Sequence, residues 1–149
     1  MNEKQYKKID ANNYWLLDKL VTIDRHFIDK LENEFDSKSL SKLRINLHSS
    51  YNENLQQMIL FLRKDEIIKP HFQDFGNVSY NVIKGHANLN LYYKDQPDKI
   101  FQLSTKHSQF MRIPRTVCRS MTVISDIFIF IETCDGPFRK ENTNWQLIK

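Results

Sequence analysis

From residue 79 onward the chain reads as one short apolar run after another, at 79–84, 87–94, 99–103, 110–113, 117–124 and 127–134. Turn chemistry separates them: Gly85 with His86, the Asp95 to Asp98 segment with its Pro97, Lys106 to Ser108, and Ser125 with Asp126. Runs this short, broken at near-regular intervals, predict the antiparallel strands of a sandwich or barrel. Upstream, 44–48 and 56–62 read as two further strands joined by a polar turn, the second of them well buried. Before these, Leu16, Leu17, Leu20, Val21, Phe27, Ile28, Leu31 and Phe35 recur at close to 3.6 residues. That period predicts a helix over 9–35, with room for one break and with Asp10 as its N-cap, whose stripe packs on the neighbouring sheet. The expected fold is therefore mainly β, a helical segment followed by a jelly roll.

A chain of 149 residues suits one domain with a substantial core, so 1–40 is expected to pack as a helical segment on a jelly-roll unit of 41–149. No apolar run is long enough for a membrane span, and the polar start has no signal-peptide centre, which points to the cytoplasm. Cys118 and Cys134 lie in different strand-like runs without metal or redox spacing, and are expected as buried free thiols. The net charge is +4, but 22 basic residues are scattered among 18 acids without forming a stripe. That pattern argues for a solvated surface and against a nucleic-acid partner.

Chemistry concentrates where strands begin. In Lys69-Pro70-His71-Phe72-Gln73, His71 and Gln73 share one strand face, so both side chains point into one place. The stretch Ile113-Pro114-Arg115-Thr116-Val117-Cys118-Arg119 has the form of another strand start and can deliver Arg119 to the same place. Arg44, Asn46 and His48 also alternate. They are either anion and hydroxyl ligands facing a barrel lumen or, as spacing alone prefers, the exposed polar face of an edge strand. In the C-terminal tail, Asp135-Gly136-Pro137-Phe138 gives a turn, and Trp145 follows as a lid or a dimer contact.

These spacings resemble the two signature motifs of cupins, in which His-x-His, a Glu, and a later His hold a metal. His71 fills the first of those positions, while Gln73, Val78 and Arg119 stand in the other three. The run RINLHSSYNENLQQM, the Pro70-His71 pair, FMRIP and ETCDGPF together resemble the WbuC family of cupin-fold proteins over roughly 40–146. That resemblance implies a jelly-roll β-barrel and a role around bacterial surface polysaccharide, in O-antigen or nucleotide-sugar synthesis.

Valine cannot bind a metal, a glutamine oxygen is a weak ligand, and arginine is permanently cationic, so no metal or other cofactor is expected. The same exchange favours an anion. Arg119 with Arg44 can hold a phosphate or carboxylate, such as a sugar phosphate or nucleotide sugar, and Glu132 can pair with either arginine. Asn46, His48, Gln57 and Gln73 complete the candidate ligand-binding set, and His71 is either the candidate acid or base or a relic whose ring nitrogen Gln73 satisfies. Two functions follow: a non-catalytic binding module or partner subunit, and a metal-free sugar isomerase or epimerase working through His71. Exposed sheet edges favour a homodimer in either case.

Overall fold

The structure is a computed structural model that describes residues 5–18, 20–93 and 97–145. Its strands form two facing sheets. The chain opens with a hairpin, β1 (Tyr6–Asp10) and β2 (Asn13–Leu16), followed by the helix α1 (Arg25–Ser37). Then come β3 (Lys42–Asn46), β4 (Leu55–Arg63), β5 (Ile67–Gln73), β6 (Asn77–Lys84), β7 (His86–Tyr92), β8 (Pro97–Ser104), β9 (Phe110–Pro114), β10 (Cys118–Val123), β11 (Ile127–Asp135) and β12 (Thr143–Trp145). One sheet has the order β1-β2-β3-β4-β11-β6-β9 and the other β12-β5-β10-β7-β8. From β4 onward the chain passes from sheet to sheet at almost every turn, which is the winding of a jelly roll.

The expected strands are all present to within a few residues, although Lys94 and the Asp95-Gln96 turn lie outside the described residues. The N-terminal expectation needs correction. Residues 9–16 are not helical but complete a hairpin whose Tyr6, Tyr14 and Leu16 are buried against the sheet. Asp10 caps its turn instead, accepting from the Asn12 N–H at 2.9 Å. Buried side chains at spacing two outweighed the helical period, and Leu17 and Leu20, which made that period look continuous, are exposed. The helix N-cap is Asp24, whose side chain accepts from the Phe27 N–H at 2.8 Å.

Alternation along β4 and β11 divides the core into two layers. Ile59, Phe61 and Ile129 face outward and receive Ile28, Leu31 and Phe35 of α1. Leu60, Leu62, Phe128 and Phe130 face inward and meet Leu89, Met121 and Val123 of the other sheet. The Arg63 guanidinium lies 4.5 Å from the Phe35 ring centroid and bonds Asp36, tying the end of α1 to β4. The same alternation places Gln56 and Met58 inward, toward the open end between the sheets.

A basic cavity between the sheets

Register builds the site. In the seven-stranded sheet Asn46, Met58, Glu132 and Tyr80 stand side by side across four strands. In the facing sheet Trp145, His71, Arg119 and Leu91 do the same. Both rows point inward and, apart from Leu91, bound a cavity of about 240 Å³ whose walls also include Arg44, His48, Gln56, Gln73 and Arg115.

Arg119 is 2% exposed. Its Nε donates to the Tyr80 hydroxyl at 2.9 Å, and its Nη1 donates to the backbone oxygens of Arg115 and Val117 at 3.1 and 3.4 Å. All of these acceptors are uncharged. Among the described residues no carboxylate lies within 4.0 Å of Arg119, so the buried guanidinium has no ion-pair contact, although the Glu132 charge across the cavity acts on its neighbours Tyr80 and His71. Glu132 shares the cavity but bonds neither Arg119 nor Arg44, so the expected pair does not form in the structure. The Tyr80 hydroxyl is pushed up to about 12, chiefly by burial, and stays protonated.

His71 stands beside Arg119, its cross-strand partner. Its Nδ1 lies 2.9 Å from the Lys69 carbonyl oxygen, which can only accept, so Nδ1 carries the proton and Nε2 keeps a lone pair. Burial, and then the Arg119 charge, lower its pKa and favour the neutral ring. Trp145 covers the other side, with ring centroids 5.2 Å apart, and is itself 64% exposed. The C-terminal strand thus forms one lip of the cavity.

Gln73 faces the cavity, but both ends of its amide are spent. Its oxygen accepts from Arg115 Nε, and its nitrogen donates to the Thr143 hydroxyl at 3.1 Å. Arg115 is fastened in turn, donating from Nη1 to the Asp135 carbonyl at 2.5 Å. Gln73 therefore braces Arg115 and β12 rather than bonding His71. Gln57 lies on the opposite face of β4 and donates to the Thr133 hydroxyl at 3.3 Å; its neighbour Gln56 is the one that lines the cavity. Strand alternation makes any two adjacent residues exclusive in this way.

Arg44, Asn46 and His48 all line the cavity, and β3 is an interior strand flanked by β2 and β4. The edge-strand reading fails because the hairpin β1–β2 covers that side. Asn46 donates to Asn13 Oδ1 at 2.7 Å and to the Tyr14 carbonyl at 3.0 Å, which holds the hairpin in place. His48 is 5% exposed, and its Nε2 is buried with no hydrogen-bond partner among the described residues. Its ring meets Trp15 edge-on at 5.0 Å. Gly136 permits the return of the chain beside it, since a Cβ there would collide with the Glu53 backbone oxygen.

The donor set does not fit a divalent ion. Val78 is packed in the core, the Gln73 amide is occupied, and Arg119 repels a cation. Among the described residues no three His, Cys, Asp or Glu side chains are grouped to hold a metal. The cavity instead sets three arginines against one carboxylate. Sequence reasoning passed over Arg115 and Tyr80. The signal for Arg115 was its place at the end of β9, two residues after Ile113, whereas nothing marked Tyr80 out from other strand aromatics.

No family model matches this sequence, and no curated protein matches it. Solved structures do. A cupin superfamily protein from Desulfitobacterium hafniense aligns with a TM-score of 0.52 at 15% identity, covering 63% of this chain and 76% of that one. An RmlC-like cupin from Desulfovibrio desulfuricans aligns with a TM-score of 0.52 at 14% identity, covering 78% and 92%. KdgF from Halomonas sp. gives 0.54 at 13% identity, covering 68% and 84%. The protein has the cupin fold, and at these identities the likeness speaks for the fold alone. Among the described residues no helix is long and apolar enough to cross a membrane.

Proposed function

We propose that this protein is a metal-free cupin of the WbuC type that holds an anionic sugar-like molecule, a sugar phosphate or nucleotide sugar, in the service of bacterial surface polysaccharide synthesis. The observation that carries the reading is Arg119, a buried guanidinium that faces the cavity and bonds only uncharged oxygens. A charge desolvated in this way is costly unless an anion joins it, and a guanidinium suits the planar pair of oxygens on a phosphate or carboxylate. Arg44 at the open side adds a second cation. The test is a thermal-shift series with nucleotide sugars and sugar phosphates. Ligand at about a hundred times its Kd stabilises by roughly 2.7 kcal/mol. Arg119→Ala should abolish the shift, and a shift that survives this substitution removes the anion site.

A second reading, a metal-free isomerase or epimerase, draws on His71. Its neutral ring has a bare Nε2, and Glu132 stands in the row across the cavity without a bonded partner among the described residues. A base on one wall with an arginine beside it suits proton removal next to a carbonyl. Solvent deuterium entering a bound nucleotide sugar, and failing to enter with His71→Asn, is the expected result. No incorporation by the wild-type protein leaves the binding reading alone. A homodimer belongs to the same proposal: the edge strands β8 and β9 carry Ile100 and Phe110, which are 62% and 63% exposed. Light scattering of a monomer at high concentration would remove it.

A further inference from the structure

The two histidines of the cavity are held by their backbones in opposite ways. His71 has only a carbonyl beside Nδ1, which fixes the proton there. At His48 two backbone groups of Gln57 compete for Nδ1, the N–H at 3.1 Å and the carbonyl oxygen at 2.8 Å. Backbone accounting decides between them. The Gln57 carbonyl already accepts from the Leu47 N–H at 2.9 Å. In an antiparallel ladder the N–H and C=O of one residue point to the same side, so the Gln57 N–H also points toward β3. There β3 has ended, and the His48 ring stands where a continuing strand would offer a carbonyl. A proton on Nδ1 would leave two groups unmet, that N–H and the buried Nε2 lone pair, whereas a bare Nδ1 satisfies the N–H and leaves one, the Nε2–H, at the expense of a ring lone pair facing the carbonyl oxygen at 2.8 Å. The proton of a neutral His48 therefore sits on Nε2, the buried atom without a partner among the described residues.

We infer that the cavity reads its ligand with this pair: His48 gives a hydrogen bond from Nε2–H to a ligand oxygen, and His71 takes one at Nε2 from a ligand hydroxyl. This deepens the anion-site reading and rests on it for the acidic group at Arg119. The ligand class it defines is a polyhydroxylated molecule with an acidic group for Arg119, a hydroxyl for His71 and a second acceptor oxygen for His48. A free phosphate or a simple monocarboxylate satisfies only the first of these. The orphaned Nε2–H, 95% of whose residue surface is buried, is otherwise a buried donor left unmet, and a ligand oxygen removes that deficit.

The experiment has two arms. Long-range nitrogen–proton NMR on the labelled, ligand-free protein reads each ring tautomer directly, with His48→Asn and His71→Asn assigning the signals. We expect Nε2–H at His48 and Nδ1–H at His71, and the same tautomer at both overturns the inference. In the second arm inorganic phosphate and glucose 1-phosphate are titrated into the wild type, His48→Asn and His48→Gln. An Asn oxygen can replace Nδ1 toward the Gln57 N–H, while a Gln amide nitrogen can replace Nε2–H. His48→Asn should weaken glucose 1-phosphate about tenfold and leave phosphate unchanged, and His48→Gln should keep more of the sugar phosphate affinity than His48→Asn. Equal binding of glucose 1-phosphate by wild type and His48→Asn overturns the His48 contact. Failure of phosphate to bind the wild type removes the anion site alone, because the tautomer arm does not depend on it.

Discussion

The same three strands build both ends of the space between the sheets, and the ends differ completely. At one end β11 offers Phe128 and Phe130, β4 offers Leu60 and Leu62, and β10 offers Met121 and Val123, all buried and apolar. Two residues further along each strand the inward positions become Glu132, Met58 and Arg119, and the cavity opens. In the seven-stranded sheet the ladder between β4 and β11 runs through the boundary in unbroken register from Ile127 to Asp135, whereas in the facing sheet the pairing of β10 with β5 shifts register between Arg119 and Met121. The dry end supplies the apolar packing, and the wet end carries buried polar groups, of which Asn46 and Gln73 brace β2 and β12. Apolar packing and the proposed binding site are thus separated along a strand rather than between domains.

The largest expected effect tests the dry end. Phe130→Ala leaves a void among Phe128, Tyr80 and the facing sheet, and should cost about 3–5 kcal/mol, read as a lowered urea midpoint with unchanged slope. A cost below about 1 kcal/mol would mean that the core lies elsewhere. Next comes Arg119→Met at the wet end. It removes an unpaired buried charge along with three hydrogen bonds, so the two losses oppose each other and the net change should stay under about 2 kcal/mol. A loss as large as that of Phe130→Ala would erase the contrast between the ends.

Acid should act through the wet end. His48 and His71 are both lowered from the ordinary value near 6.5, in each case first by burial. The unfolded chain then binds protons that the folded chain refuses, so stability is fully present above about 6.5 and is lost as the pH falls through the lower folded values. Urea midpoints between pH 7.5 and 5.5 should fall, and the fall should shrink when both histidines are replaced by Asn. Midpoints that stay flat over this window would show that neither ring is held neutral.

The smallest effects sharpen the boundary. Cys134 faces the cavity, yet burial, followed by the Glu132 charge, pushes its thiol up to about 12. Native protein at pH 8 should resist iodoacetamide at this residue as judged by peptide mass spectrometry, and rapid labelling would show a wetter, more open site. Trp145→Ala removes an exposed ring and should shift stability by no more than about 0.5 kcal/mol.

Much of the β framework was legible because alternation and turns are local. Gly85, Ser125 with Asp126, and the apolar runs between them marked β6, β7, β10 and β11 to within a few residues. The N-terminal hairpin was not legible, since Leu17 and Leu20 supplied a helical period that solvent exposure makes meaningless. His71 and Arg119 were placed together by strand spacing, and the structure makes them cross-strand partners. Arg115 and Tyr80 escaped notice because their importance lies in which distant groups they meet, Gln73 and Asp135 for one and Arg119 for the other.

What the sequence determined by itself was the order of strands and the face on which each side chain stands, since both follow from a period of two along a single strand. Which strands became neighbours, and therefore whether Arg119 met a carboxylate, whether Gln73 was free, and where the proton on His48 resides, was decided by the tertiary structure. Those are pairwise facts between residues 9 to 70 positions apart, fixed by sheet register and burial, and no local pattern encodes them.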